Sequence, residues 1–93
     1  MRIYSAEFNR VVGDSIGRAA VRLRRRGLDV DILSHKTALR IAKPDDMDWD
    51  DLKDALRSVL QPRRGSVLLF SEATGRTFVC NNAGNQAGHF VRQ

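Results

Sequence analysis

Residues 28–43 read LDVDILSHKTALRIAK, and this stretch decides the fold because it specifies two antiparallel strands. Apolar side chains alternate with aspartates in its first half and with an arginine in its second half. A two-residue loop at His35 and Lys36 gives three cross-strand pairs: Ile32 with Leu39, Val30 with Ile41, and Asp31 with Arg40. This register puts apolar pairs on one face and opposite charges on the other, which predicts a β-hairpin. A four-residue loop is the alternative, since His-Lys is not a favoured two-residue turn.

A helix is predicted on each side of this hairpin, because residues 14–26 and 48–60 carry apolar side chains at helical spacing. Asp14 or Ser15 is expected to cap the first helix, and Gly27 to end it in a left-handed conformation. Aspartates fill the first turn of the second helix, and Pro62 stops it.

The remaining strands lie at the two ends of the chain. Residues 2–8 alternate as a strand, and SVLLFSE, residues 66–72, is followed by RTFVCN, residues 76–81. A three-residue loop, 73–75, with a left-handed Gly75, is expected to join the last two strands. That loop puts Leu68, Phe70, Phe78 and Cys80 on one face of the hairpin. It leaves Leu69 and Val79 together on the opposite face, as an apolar patch that needs a cover.

The predicted order is strand, helix, strand, strand, helix, strand, strand. This order predicts an α+β domain, a ferredoxin-like βαββαβ sandwich with an extra C-terminal β-strand. Right-handed crossovers give an antiparallel sheet ordered 5-4-1-3-2, with two helices on one face. Residues 1–81 are expected to form this single domain. Residues 82–93, rich in Gly and Asn, form a tail or a closing strand.

Composition limits the function classes. The chain has 93 residues and one cysteine, which excludes an intrachain disulfide framework and a cysteine-built zinc site. No stretch has the 18 or so consecutive apolar residues of a membrane span, and the first residues lack the apolar run of a signal peptide. We therefore expect a cytoplasmic protein with no membrane contact. The sequence shows no strong catalytic, metal-binding or cofactor-binding motif, so the leading expectation is a non-catalytic protein without a cofactor.

The net charge of +5 is unevenly distributed. Residues 1–43 carry +6, residues 44–62 carry −4 and residues 63–93 carry +3. On the first predicted helix, arginines at i, i+4 and i+7 or i+8 form one stripe: Arg18, Arg22, and Arg25 or Arg26. Such a stripe could follow a phosphate backbone, with Arg63 and Arg64 as a second cluster. The alternative is a solvated helix face whose cations favour the helix C-terminus.

These features give a leading hypothesis and two alternatives. The leading hypothesis is a small non-catalytic binding module that docks its Arg-rich helix on nucleic acid or a nucleoprotein complex. The first alternative is a protein–protein inhibitor or adaptor of a mobile element, such as an antagonist of a CRISPR-type machine. It would use Leu69, Val79, Asp45 and Asp46 toward a protein partner, and the open sheet face could equally support a homodimer. The second alternative is a small ribonuclease-type toxin with His35 as acid–base group.

Overall fold

The structure, a computed structural model, describes residues 1–33, 37–82 and 89–92, the last four by their backbone only. Its strands and helices follow in chain order: β1 (Arg2–Asn9), α1 (Ile16–Arg25), β2 (Asp29–Ile32), β3 (Ala38–Lys43), α2 (Trp49–Val59), β4 (Ser66–Ser71), β5 (Thr77–Asn81) and β6 (His89–Arg92). A short 3-10 turn, Val12–Asp14, precedes α1. The segment expected to be a tail or closing strand thus contributes β6.

The fold is a small α+β arrangement of one antiparallel sheet and two helices. The sheet runs in the order β2-β3-β1-β4-β5-β6, and every neighbouring pair is antiparallel. Buried residues of both helices join alternate residues of the strands in one apolar cluster, so both helices cover the same sheet face. No helix of the described ranges covers the other face of the sheet. Within the described ranges, neither helix is long and apolar enough to cross a membrane.

The helix boundaries follow from the capping residues. The hydroxyl of Ser15 accepts a hydrogen bond from the backbone N–H of Arg18 at 3.2 Å, and Asp48 accepts one from Asp51 at 2.9 Å. Gly27, with φ +94°, ends α1 in the expected left-handed conformation. Its N–H donates to the carbonyl of Arg24, and the following N–H donates five residues back, which completes a Schellman motif.

The first hairpin has the register that the sequence predicts. Val30 lies opposite Ile41, Asp31 opposite Arg40, and Ile32 opposite Leu39. The residues of its loop, 34–36, lie outside the described part of the chain, so the prediction made for His35 stays untested. The Arg40 guanidinium is paired with Glu72 and not with Asp31. Its Nε and Nη2 donate to the carboxylate of Glu72 at 3.3 and 3.4 Å, on the uncovered face of the sheet.

The predicted register of the second hairpin is wrong by one residue. A four-residue loop, 72–75, replaces the predicted three-residue loop, and Ser71 pairs with Arg76 across its base. Gly75 does adopt φ +69°, as expected. The shift exchanges the faces of β4, because successive side chains of a strand point to opposite sides. Leu69 is therefore fully buried under the helices, and Leu68 and Phe70 are each 44% exposed on the uncovered face.

One end of the molecule is tied together by backbone hydrogen bonds around Gly65. The Gly65 N–H donates to the carbonyl of Gln61 at 2.8 Å, and its own carbonyl accepts from Asn82 at 2.9 Å. Gln61 in turn donates from its backbone to the carbonyl of Arg10 at 2.9 Å and from its side chain to that of Val11 at 3.0 Å. A Cβ at Gly65 would lie 2.6 Å from Gln61 N, which explains a glycine there. We call this group the Gly65 junction.

Candidate binding surfaces

The predicted arginine stripe forms an exposed surface along α1. Arg18, Arg22 and Arg25 lie on the side of the helix opposite its buried residues, and Arg26 follows as the C-cap. Arg22 Nη1 donates to the carbonyl of Ser58 on α2 at 3.4 Å, a long hydrogen bond. Arg18, Arg25 and Arg26 form no hydrogen bond or ion pair through their guanidinium groups to any described residue. Three of the four cations are therefore available to a ligand.

Arg24, the remaining arginine of α1, has a structural role. Arg24 points to the other side of the helix, where its Nε and Nη2 donate to the carbonyl oxygen of Val30 at 3.1 and 2.7 Å. This fork fastens the last turn of α1 to strand β2. The Arg24 guanidinium therefore stabilises the fold, and it is not counted among the cations available to a ligand.

The second predicted cluster, Arg63 and Arg64, lies in the exposed segment after α2. That segment neighbours the start of α1, because Leu60 bridges to Val11 and Gln61 bonds to Asp14. Arg63 and Arg64 are thus at the Arg18 end of the helix layer.

The other end of the stripe is less basic. Arg25 and Arg26 share an open cleft of about 750 Å³ with Asp46 and Asp51. The predicted interaction residue Asp46 therefore faces the stripe itself. Asp45 accepts a hydrogen bond from the terminal ammonium of Met1. Asp46 and Asp51 therefore reduce the net positive charge at the Arg25 and Arg26 end of the stripe.

The uncovered sheet face carries the opposite charge. Its described ionisable residues are four acids and one base: Glu7, Asp29, Asp31, Glu72 and Arg40. Its centre is apolar, with Leu68, Phe70 and the partly exposed Val79. The sequence places Val79 on this face correctly but pairs it with Leu69. Leu69 is inaccessible, so Leu68 and Phe70 replace it as interaction candidates.

Sequence reasoning misses a cavity that opens beside Trp49 on the helix-facing side of the sheet. Its volume is about 350 Å³. Three cations and three aromatic side chains line it: Arg2, Lys43, Arg76, Tyr4, Trp49 and Phe78. The Trp49 ring centroid lies 6.1 Å from that of Tyr4 and 5.2 Å from that of Phe78, the spacing of tilted aromatic pairs. The sequence does contain a signal for it, since Arg2 and Lys43 stand at strand positions that share a face with core residues.

Two further observations concern possible catalytic chemistry, one on the free cysteine Cys80 and one on metal-binding side chains. Burial raises the pKa of the Cys80 thiol to about 11, so this free cysteine is a poor nucleophile at neutral pH. Within the described ranges, no three His, Cys, Asp or Glu side chains come together as a metal site would require.

Comparison of the chain with protein-family models, with curated proteins and with solved structures gives no match in any of the three.

Proposed function

We propose that this protein is a non-catalytic binding module that docks the basic surface of its helix layer on a polyanion, nucleic acid or a nucleoprotein complex. Its framework would be a ferredoxin-like sandwich extended at the C-terminal edge. The order β2-β3-β1-β4 with two connecting helices supports that framework. Because such folds serve many functions, the proposal depends on the surface and not on the fold.

The observation that carries the proposal is the different use of acids and bases. In α2, Asp50 is paired with Lys53, Asp54 is paired with Arg57, and Asp48 caps the helix. Along α1, in contrast, Arg18, Arg25 and Arg26 are exposed and unpaired among the described residues. Guanidinium groups held apart on one helix face can each contact a phosphate and release its counterions.

The test is a titration of fluorescently labelled single-stranded and double-stranded DNA and RNA at several salt concentrations. Each phosphate contact contributes about −0.9 to the slope of log K against log salt on duplex DNA. Replacing Arg18 or Arg22 by Gln is expected to weaken binding to all sequences alike and to reduce that slope by about 1. Arg57→Gln is the matched control, since it removes the same charge from the other helix.

The proposal fails if no nucleic acid binds at low salt. It also fails if Arg57→Gln lowers the affinity as much as the Arg18 and Arg22 variants do, because the effect would then reflect net charge alone.

A second candidate function, a protein–protein inhibitor or adaptor, is favoured by the exposure of Leu68 and Phe70 at the centre of the acidic sheet face. Apolar residues surrounded by charges are typical of a protein docking surface. A basic partner would complement the acids. Phe70→Asp is expected to abolish capture of a specific partner after nuclease treatment. Val21→Asp, an equally exposed apolar residue on α1, should not. Equal capture by both variants would exclude the sheet face.

A further inference from the structure

The cavity beside Trp49 has a cationic wall formed by Arg2, Lys43 and Arg76. Among the described residues, no carboxylate lines it. Asp45, which interacts electrostatically with Lys43 and Arg2, accepts a hydrogen bond from the terminal ammonium of Met1. That hydrogen bond and charge hold the pKa of Asp45 below its ordinary value, with smaller contributions from Lys43 and Arg2. The three cations of the cavity therefore have no carboxylate partner among the described residues that line it.

Lys43 is unusual because its side chain is almost buried, with 9% of the residue exposed. Its Nζ donates to the backbone carbonyls of Pro44 at 3.2 Å and Met47 at 2.6 Å. An ammonium group has three donors, so one remains beyond these two neutral acceptors. Buried cations are normally paired with an anion, and here no described carboxylate is paired with Lys43. An anionic ligand in the cavity would supply that partner.

Ser71 gives independent evidence for a ligand. It is 2% exposed, it lines the same cavity, and its Oγ is a buried side-chain atom without a hydrogen-bond partner among the described residues. A buried polar atom left unpaired destabilises a fold, so such groups are rare and usually have a functional reason. Its hydroxyl can both donate to and accept from a bound molecule.

The remaining wall of the cavity consists of aromatic side chains, which favour a ligand with a planar ring. Trp49 and Phe78, both partly exposed, give the cavity an aromatic wall next to the cations, and the buried Tyr4 packs behind Trp49. Aromatic side chains stack on nucleobases, and arginine forks bind phosphate. The volume of about 350 Å³ is at the small end of ligand pockets, which suits one nucleotide.

We propose that this cavity binds a single nucleotide. Its phosphate would lie among Arg2, Lys43 and Arg76, its base would lie against the aromatic wall, and Ser71 would form a hydrogen bond to it. The nucleotide has two possible sources, a free mononucleotide or the terminal nucleotide of a single strand. The proposal does not depend on the arginine surface of α1, whose residues take no part in the cavity.

Trp49 makes the test direct, because it is the only tryptophan of the chain and lies in the proposed site. The full chain is titrated with AMP, CMP, GMP and UMP while tryptophan fluorescence is followed. Adenosine and inorganic phosphate serve as half-ligands, and free N-acetyltryptophanamide corrects for light absorbed by the nucleotide. We expect a saturable change with at least one mononucleotide, and at least tenfold weaker binding of both half-ligands. A 5′-phosphorylated tetranucleotide that binds more tightly than the mononucleotide identifies the strand end as the source, and the reverse identifies the free nucleotide.

Arg76→Gln is expected to weaken nucleotide binding at least tenfold. This residue is exposed, so the variant should fold, which circular dichroism would verify. Arg57→Gln removes the same charge outside the cavity and outside the arginine surface of α1, and it should leave the affinity unchanged. The proposal is overturned by the absence of a saturable signal at millimolar nucleotide, by phosphate binding as tightly as the nucleotide, or by equal losses in the two variants.

Discussion

Two neighbouring leucines of β4 provide the sharpest test of the fold, because the register of the second hairpin decides which of them is buried. Leu69 is fully buried in the apolar cluster, and Leu68 is 44% exposed on the uncovered face. We predict that Leu69→Ala destabilises the protein several times more than Leu68→Ala. The two variants remove the same atoms one residue apart, so each controls for the other.

The magnitudes follow from burial. Leu69→Ala loses the full transfer free energy of the side chain and leaves a cavity between the sheet and the helices, which costs about 2–5 kcal/mol. Leu68→Ala loses just over half of that contact and leaves no enclosed cavity, so about 1 kcal/mol is expected. For a domain of this size, a difference of 2 kcal/mol shifts the melting temperature by roughly 8–16 °C.

Urea unfolding followed by circular dichroism measures both free energies, and equal m-values verify that the variants unfold from comparable states. Under the register predicted from sequence, Leu68 would be the buried residue and Leu69 the exposed one. A larger loss in Leu68→Ala, or equal losses, would therefore refute the one-residue shift and the exposure of Phe70 that follows from it.

Three further predictions concern single sites. Gly65→Ala should destabilise the protein by about 1–3 kcal/mol in urea unfolding, because its Cβ would meet Gln61 N and Leu60 Cβ at 2.6 Å. Gly17→Ala, whose Cβ meets only Ser15 Oγ at 3.8 Å, should stabilise α1 by about 0.5–1 kcal/mol, and the same sign for both glycines would contradict the packing. Asp48→Ala should cost about 1 kcal/mol because it removes the N-cap of α2, whereas Asp46→Ala, which caps nothing, should cost little in the same assay. Cys80 should react with a thiol reagent at pH 8 far more slowly in the folded protein than in urea, since burial raises its pKa from 9.0 to about 11. The unfolded thiol ionises first, so the free energy of unfolding should also fall as the pH rises from about 9 to 11. Cys80→Ala should lack that contribution, and a pH profile equal to that of the wild type would contradict it.

Local signals predict much of this fold. The caps at Ser15 and Asp48, the stop at Gly27 and the register of the first hairpin depend on residues close together in the chain. The second hairpin fails because SVLLF has no alternation, so both faces of β4 are equally apolar in sequence. Loops of three and four residues then differ by one position, and burial of Leu69 under the helices decides between them.

The candidate sites also depend on tertiary packing, which local sequence patterns do not reveal. Helical spacing suffices to place the arginines of α1 on one face, but it does not reveal that Arg24 is held by Val30. The cavity beside Trp49 gathers residues from positions 2 to 78, so its composition depends on tertiary packing. One local feature of the sequence does indicate the cavity: two of its cations occupy strand positions that would normally point to the core. Arg2 lies on the same strand face as Tyr4, and Lys43 lies on the same face as Ile41, which places charges where the strand pattern calls for apolar residues.

The Gly65 junction has a consequence for the order of folding. Its hydrogen bonds join Arg10, Gln61 and Asn82, segments separated by about fifty and twenty residues in the chain. Contacts of such long sequence separation require closure of large loops, which costs entropy before any bond is gained. The junction should therefore form after both hairpins, on the native side of the transition state. Loosening it with Gly65→Ala would accelerate unfolding and leave the refolding rate almost unchanged, which makes this glycine a determinant of how long the folded molecule lasts.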